Sequence, residues 1–317
     1  MAMQEPLVQP AGATDVAPAL DELSRYGGGS SLWKDAFKRL MRNKVAVAGG
    51  VIILIICAIA ILAPFISPYP EDRIFSGHPL EDPSGSHIFG TNATSQDTLS
   101  RVLFGAGRSL FVGIFVQFVI LTIAIIVGGS AALAGKWLDS LLMRFTDIVY
   151  AFPDLLFIIL LQQVVATRWE WLANQVNGLL VVFLAIGLVG WVNLARLIRG
   201  QMLSLRERDF VLAARAMGAT QTRIVTQHML PHTVGPVIVA LTFGIPAAIF
   251  TLAALSYIGI GIQPPAADWG NMINAGYGVI TVTPWPTFFP AIALAIVFIS
   301  FQFLGDGLRD ALDPRTR

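Results

Sequence analysis

Few residues in this 317-residue chain stand in a pattern that does chemistry, and most of those fail on their neighbours. Gly128-Gly-Ser-Ala-Ala-Leu-Ala-Gly-Lys136-Trp137 has the glycines and lysine of a phosphate-binding loop. That loop needs a Ser or Thr after the lysine to hold magnesium. Trp137 stands there instead, and the first glycine is displaced by one residue. His228 and His232 are four apart, the spacing that puts two imidazoles on one helix face. Pro231 interrupts them, and no Cys or carboxylate cluster completes a metal site. The lone Cys57 excludes an internal disulfide and a multi-cysteine zinc site, and reads as a small apolar residue. No catalytic residue, metal site or cofactor is expected of this chain.

Asp154, in Ala151-Phe-Pro-Asp-Leu-Leu-Phe157, is the exception. An ionisable group inside an apolar stretch is by default functional, as a contact for a substrate or a proton. The alternative is that Pro153 opens the helix and Asp154 bonds the freed backbone or faces a subunit interface. Asp147 is expected to pair with Arg144 or another basic group near a span end.

The elements that must carry these residues follow from composition. Apolar residues make up 55% of the chain and charged residues 13%, about half the share in a soluble domain. Mean hydropathy is +0.68. Too little polar surface exists to cover the apolar bulk in water. The net charge of +1 gives no electrostatic support for nucleic-acid binding. A bilayer core needs about 20 apolar helical residues. Charge-poor runs predict six such helices, about 45–67, 109–134, 142–165, 178–200, 234–258 and 286–305. Helices close their own backbone hydrogen bonds in lipid, and the alternating strands of a membrane barrel are not apparent.

With the N-terminus inside, 17 of the 21 Lys and Arg fall on inner segments, which places both ends in the cytoplasm. The first span is not read as a secretory signal, because a long mixed segment precedes it and five spans follow. Residues 1–31, ending in GGGSS, predict a disordered cytoplasmic tail. Residues 32–44 interleave Leu32, Trp33, Phe37, Leu40 and Met41 with five basic residues. They read either as an amphipathic helix on the inner membrane face or as a plain basic flank. Residues 45–306 form the six-span domain, with an outer segment 68–108 and an inner loop 201–232. Residues 307–317 are expected as a cytoplasmic tail. A short helix fits Trp269–Ala275 in the outer segment 259–285. The pairs Gly49/Gly50, Gly187/Gly190 and Gly259/Gly261 permit close helix packing or local flexibility.

The inner loop carries the strongest signal. Residues 207–217 favour helix, and Gly218 fits a left-handed stop. Thr220 or Thr222 fits the cap of a second helix toward Met229, which Pro231 is expected to end. Ala213, Ala214 and Ala216 give the first helix a shallow surface, with Phe210, Val211 and Met217 as apolar anchors. Such a surface suits docking into a partner's groove, or packing on the chain's own membrane domain.

Leu212-Ala213-Ala214, then Gly218, then Leu230-Pro231 resembles the EAA loop of permease subunits in bacterial ABC importers. Arg196-Leu-Ile-Arg-Gly-Gln-Met-Leu-Ser-Leu-Arg-Glu-Arg-Asp-Phe210 resembles the run leading into that loop in the oligopeptide/dipeptide permease group. His87-Ile-Phe-Gly-Thr91, Asp97-Thr-Leu-Ser-Arg101, Gly105-Ala-Gly-Arg-Ser-Leu110, Gln263-Pro-Pro265, Asp268-Trp-Gly270 and Gly305-Asp-Gly-Leu-Arg-Asp-Ala-Leu-Asp-Pro314 are similar to that group too. The likeness spans roughly 32–315, and the N-terminal extension resembles the C-type partner of the two permeases. Two positions depart from the pattern. Leu212 stands where the motif's glutamate usually stands, leaving Glu207 and Asp209 as the nearby acids. Asn92-Ala-Thr-Ser-Gln-Asp97 replaces an acidic/Gly/Arg pattern.

The resemblance implies an all-α inner-membrane protein of the type I importer permease (MetI-like) architecture. It implies a homologous second permease, two ABC ATPase subunits using ATP and magnesium, and an extracytoplasmic solute-binding protein. It implies that Asp209, Phe210, Val211, Leu212, Ala213, Ala214, Arg215, Ala216, Met217 and Gly218, with Leu230 and Pro231, form the coupling element in an ATPase cleft. The expected function is the pathway subunit of an ATP-driven importer of di- or oligopeptides. Nickel chelates or sugars are alternative cargoes in the same family. An ion-coupled carrier or a non-transport scaffold are the rivals from other classes. Asp154 has no clear counterpart in the second half, which weighs against the carrier.

Overall fold

The computed structural model describes residues 32–75, 78–133, 135–168 and 179–313. The tail expected over 1–31 lies outside them. Ten helices are described: α1 Leu32–Arg42, α2 Lys44–Ile66, α3 Thr98–Leu133, α4 Lys136–Ala151, α5 Asp154–Arg168, α6 Leu179–Arg206, α7 Asp209–Ala216, α8 Gln221–Tyr257, α9 Trp269–Tyr277 and α10 Trp285–Leu312. The only extended pairing among the described residues is two isolated bridges in the segment before α3.

Five helices (α2, α3, α6, α8 and α10) are long and apolar enough to cross a bilayer. A sixth crossing requires α4 and α5 together, and these meet at 89°. The single straight helix expected over 142–165 is therefore corrected. Pro153 lacks the N–H that would continue the ladder, and the chain breaks at Phe152–Pro153. Most other helices outrun their expected ends. At 36 residues, α3 is about 54 Å long, far beyond the hydrocarbon thickness. The last helix continues to Leu312, so the first residues of the expected tail are helical.

The core lies between α3 and α6. Val112, Val116, Ala124, Val182, Ala195 and Met202 are fully covered there. A Cβ on Gly128 would sit 2.3 Å from the Ala195 carbonyl, so α3 and α6 meet backbone to backbone. The run that resembled a phosphate loop is thus a packing seam. A Cβ on Gly49 would likewise meet the Ser300 carbonyl at 2.6 Å, setting α2 against α10. Outward faces carry large apolar side chains, with Phe65 84% and Ile61 74% exposed, which lipid tolerates and water does not.

The helices have two unlike ends. One gathers α1, the starts of α2 and α8, and the ends of α3, α6 and α10. There Gly307 packs on Ala46, Gly235 on Leu312 and Gly129 on Met202. This is the basic end, carrying Lys34, Lys38, Arg42, Arg206, Arg208, Arg215 and Arg223. On α1, Ala36 is buried while Trp33, Phe37 and Met41 are exposed. Asn43 then caps α2, its side chain accepting from the Ala46 N–H at 3.2 Å. The opposite end joins residues 67–75 and 78–97, the start of α3 and the segment 258–284 with α9.

Candidate functional site

At the basic end, α6 stops at Arg206 and two residues turn the chain into α7. Asp209 sits in its first turn, where a negative charge offsets the helix dipole. The helix closes as the sequence predicts: Gly218 has φ +79, the Ala219 N–H donates to the Ala214 carbonyl (3.1 Å) and the Gly218 N–H to the Arg215 carbonyl (3.0 Å). These are the two bonds of a Schellman stop. Thr220 is the next cap, accepting from the Arg223 N–H.

Pro231 does not end the second helix, which corrects that expectation. Residues 224–229 form a π turn, in which the Leu230 N–H reaches the Val225 carbonyl, and α8 runs on to Tyr257. The extra residue in the wide turn shifts the ladder just before the proline, which needs no donor. His232 bonds the His228 carbonyl through Nδ1 at 2.7 Å and stacks on Phe210 at 4.9 Å.

The faces of α7 divide differently from the expected anchor set. Val211 and Ala214, three residues apart, are buried in the main core with Ile224 and Met202. Phe210, Leu212, Ala213, Ala216 and Met217 are exposed, Met217 by 82%. An inward pair therefore fixes the helix, and its outward side is a low apolar strip bounded by Arg208, Asp209 and Arg215. Leu212 lies on that strip. Leu230 is half-buried and Pro231 exposed.

Asp154 opens α5 immediately after the 89° break. It lines a cavity of about 440 Å³ between α3, α5, α6 and α8. The polar side chains on its wall are Gln117, Asp154, Asn193 and Thr251, one from each helix. Gln117 lies against Gly244, where a Cβ would come within 2.5 Å of its Oε1. Asp147 pairs with Arg196 of α6 at 2.6 Å rather than with Arg144, and Arg199 grips Asp139 through two bonds. These ties hold α4 along α6 below the cavity.

At the opposite end, motifs far apart in sequence form one polar cap. Asp97 caps α3, accepting from the Ser100 N–H (2.8 Å) and hydroxyl (2.7 Å), and its other oxygen meets His87 Nδ1 at 2.9 Å. Arg108 forks onto Glu71 and donates to the Ala267 carbonyl at 2.9 Å, while the Ala267 N–H returns to Glu71 at 3.2 Å. Arg101 spans the Glu71 and Pro265 carbonyls at 3.1 and 3.2 Å. Burial pushes the Glu71 carboxyl up, but its bonds and charge contact with Arg108, and the Ala267 N–H, outweigh this and hold it below the usual glutamate value. Asp268 and Asn271 form a capping box for α9. Burial raises Asp268 from 3.8 to about 6, against the N–H groups of Asn271 and Gly270 that favour its charge. The departure at 92–97 is a closed turn, in which Asn92 Oδ1 accepts from Thr94 and Gln96.

Sequence reasoning missed Gln117, Asn193 and Thr251 as cavity residues, and Glu71 as the hub of the cap. A polar residue alone in an apolar run was the available signal for the first two.

Comparison with known proteins places this architecture. The family model for the binding-protein-dependent transport system inner membrane component matches residues 109–317, and that for the N-terminal TM domain of oligopeptide transport permease C matches residues 31–83. The oligopeptide transport system permease protein OppC of Bacillus subtilis is 39% identical over 90% of this chain and 91% of its own length. The dipeptide permease DppC of the same organism is 39% identical over 90% and 87%. The glutathione permease GsiD of Pectobacterium atrosepticum is 36% identical over 90% and 92%. An inward-facing structure of the MetNI methionine ABC transporter shares the fold, with a TM-score of 0.55 at 19% identity over 68% of this chain and 97% of that one. The helices, the loop and these relatives agree: the chain belongs to the binding-protein-dependent transport system inner membrane components, and is a non-catalytic permease component of a bacterial ABC importer in the inner membrane.

Proposed function

We propose that this permease is the pathway subunit of an importer for di- or oligopeptides, and that α7 is the coupling helix seated in an ATPase cleft. The named cargoes of its relatives, oligopeptides, dipeptides and glutathione, support the cargo class. The observation that carries the coupling role is the outward strip of α7, where Phe210, Leu212, Ala213, Ala216 and Met217 stay exposed while Val211 and Ala214 anchor the helix to the core. The basic end is cytoplasmic in this reading. A homologous permease completes the pathway, two ATPases bind ATP and magnesium, and a solute-binding protein delivers cargo to the opposite face. This chain itself binds no nucleotide.

ATP binding closes the ATPase pair, and α7 moves with it. Because α7 is joined to α6 by two residues and to α8 by residues 217–220, its displacement rotates both helices that wall the Asp154 cavity. The loop must contact the two ATPase states differently, since only differential contact shifts an equilibrium. Uptake of a radiolabelled tripeptide into proteoliposomes containing the full complex tests this. Uptake that depends on ATP and binding protein is expected. Uptake by this chain alone, driven by a proton gradient, would overturn it.

A further inference from the structure

We propose that Asp154 makes the central cavity a cation-selective site that receives a primary ammonium group of the cargo. The inference rests on the importer reading and adds the chemistry of what the cavity takes.

The cavity's volume of about 440 Å³ falls in the range of small-ligand sites. Most of its wall is apolar, from Ile120, Ile158, Ile186, Val189, Leu194 and Ala248. Asp154 is the one charged residue among those that line it. Among the described residues the carboxylate has no ion-pair or hydrogen-bond partner. The basic residues further along α6, Arg196 and Arg199, are committed to Asp147 and Asp139. The α5 N-terminus at Asp154 contributes a partial positive charge of about half an electron, which leaves the carboxylate net negative. Asp154 is itself exposed on the open side of the cavity, so an entering cation reaches its carboxylate directly, with the apolar wall behind it.

The remaining polar groups match an ammonium in kind. An ammonium is donor-only, with three N–H groups to place. The side chains of Asp154, Gln117, Asn193 and Thr251 each carry an oxygen that can accept, and the four residues, from four helices, line the one cavity. Gln117 is buried and its amide faces Gly244 on the cavity wall. A residue that merely starts a helix after a proline requires none of these partners. Each peptide chain presents one free α-ammonium whatever its side chains, so one such site serves a mixed cargo.

The test uses the full complex in nanodiscs, with cysteine-free partner subunits, Cys57→Ala, and a reporter Ala247→Cys on the cavity wall. The reporter is modified by a cationic trimethylammonium or an anionic sulfonate methanethiosulfonate. Asp154→Asn is expected to lower the cation-to-anion rate ratio by roughly tenfold, because losing one negative charge removes both its attraction for the cation and its repulsion of the anion, with Asp154→Glu retaining it. An unchanged ratio overturns the proposal. Should Asp154→Asn fail to assemble, the parent ratio must fall toward that of a free thiol as salt rises, and a salt-independent ratio overturns it equally. Trialanine uptake separates the two claims. A parent complex that takes up no trialanine defeats the peptide reading while the rate ratio still decides the cation site. An Asp154→Asn complex that takes up trialanine with unchanged kcat defeats the role of the site in carriage. A roughly tenfold fall in kcat with KM held by the binding protein supports it.

Discussion

At the basic end, α7 presents Phe210, Leu212 and Met217 outward, and two inward side chains hold it to the core. At the opposite end, Glu71, Arg101 and Arg108 with the Pro265 and Ala267 backbone lock two segments nearly two hundred residues apart. Both regions connect spans, yet one leaves its apolar surface open and the other pairs most of its polar groups internally. The first has the character of a surface completed by another protein, the second of a frame that keeps its shape by itself. A transporter that transmits force from one end needs this asymmetry, since a lever moves only relative to something fixed. Sharpening or breaking the contrast gives four predictions.

The largest effect is expected at Gly218. Its φ of +79 disfavours a β-branched side chain, although a Cβ there would meet nothing within 4 Å. Gly218→Val should therefore act through the backbone and reduce tripeptide uptake per ATP hydrolysed by about 5- to 150-fold, the span of a coupling energy of about 1–3 kcal/mol. Membrane insertion should be intact by protease mapping. Gly218→Asn, which tolerates the left-handed region, should retain most coupling. Equal loss in both variants would point to the side chain instead.

Next is the frame. Glu71→Ala leaves Arg108 without its carboxylate and should cost about 2 kcal/mol of stability, discounted for partial exposure of the pair. Thermal unfolding in detergent reads this, while uptake per ATP stays constant. A change in coupling without a change in stability would erase the contrast between the two ends.

The third concerns pH. Asp268 is raised from 3.8 to about 6, so its contribution is present below pH 4 and is lost as pH rises through 6. Glu71 is lowered from 4.5, so its contribution is present above that value and is lost as pH falls through its folded value. Asp268→Asn keeps a good helix cap. Between pH 4 and pH 7 the stability difference should move in favour of the variant by about 2 kcal/mol. Unfolding midpoints that run parallel for variant and parent would refute the assignment.

The smallest is Met217→Asp on the strip. The side chain touches little within the chain, so folding should be unchanged, while ATPase association should weaken about fivefold, or roughly 1 kcal/mol. Co-purification at graded ATPase concentrations measures it.

Much of this was legible in the sequence for physical reasons. Charge is costly in lipid, so charge-poor runs marked the spans, and a glycine followed by a threonine cap marked the end of α7. What stayed hidden depended on packing. The Phe152–Pro153 break was readable as a weak point, but the 89° turn was not, because direction is set by neighbouring helices. Pro231 read as a stop because nothing local announces a π turn. Six of the eight residues of α7 are small or apolar, so periodicity did not reveal that Val211 and Ala214 face inward and Leu212, with the capping Met217, outward. Glu71 and Ala267 are 196 positions apart, beyond any local pattern.

The central claim is that the strip on α7 is covered by a nucleotide-hydrolysing partner on the cytoplasmic side. Met217→Cys in a Cys57→Ala chain, assembled with its partners in sealed vesicles of known sidedness and treated with a short thiol-to-amine cross-linker, tests it directly. The account predicts an adduct with the ATPase subunit and protection from an impermeant thiol reagent added on the periplasmic face, while a cysteine at Ser84 in the cap gives the reverse on both counts. Labelling of Met217→Cys from the periplasmic face, or no ATPase adduct in an actively hydrolysing complex, would contradict it.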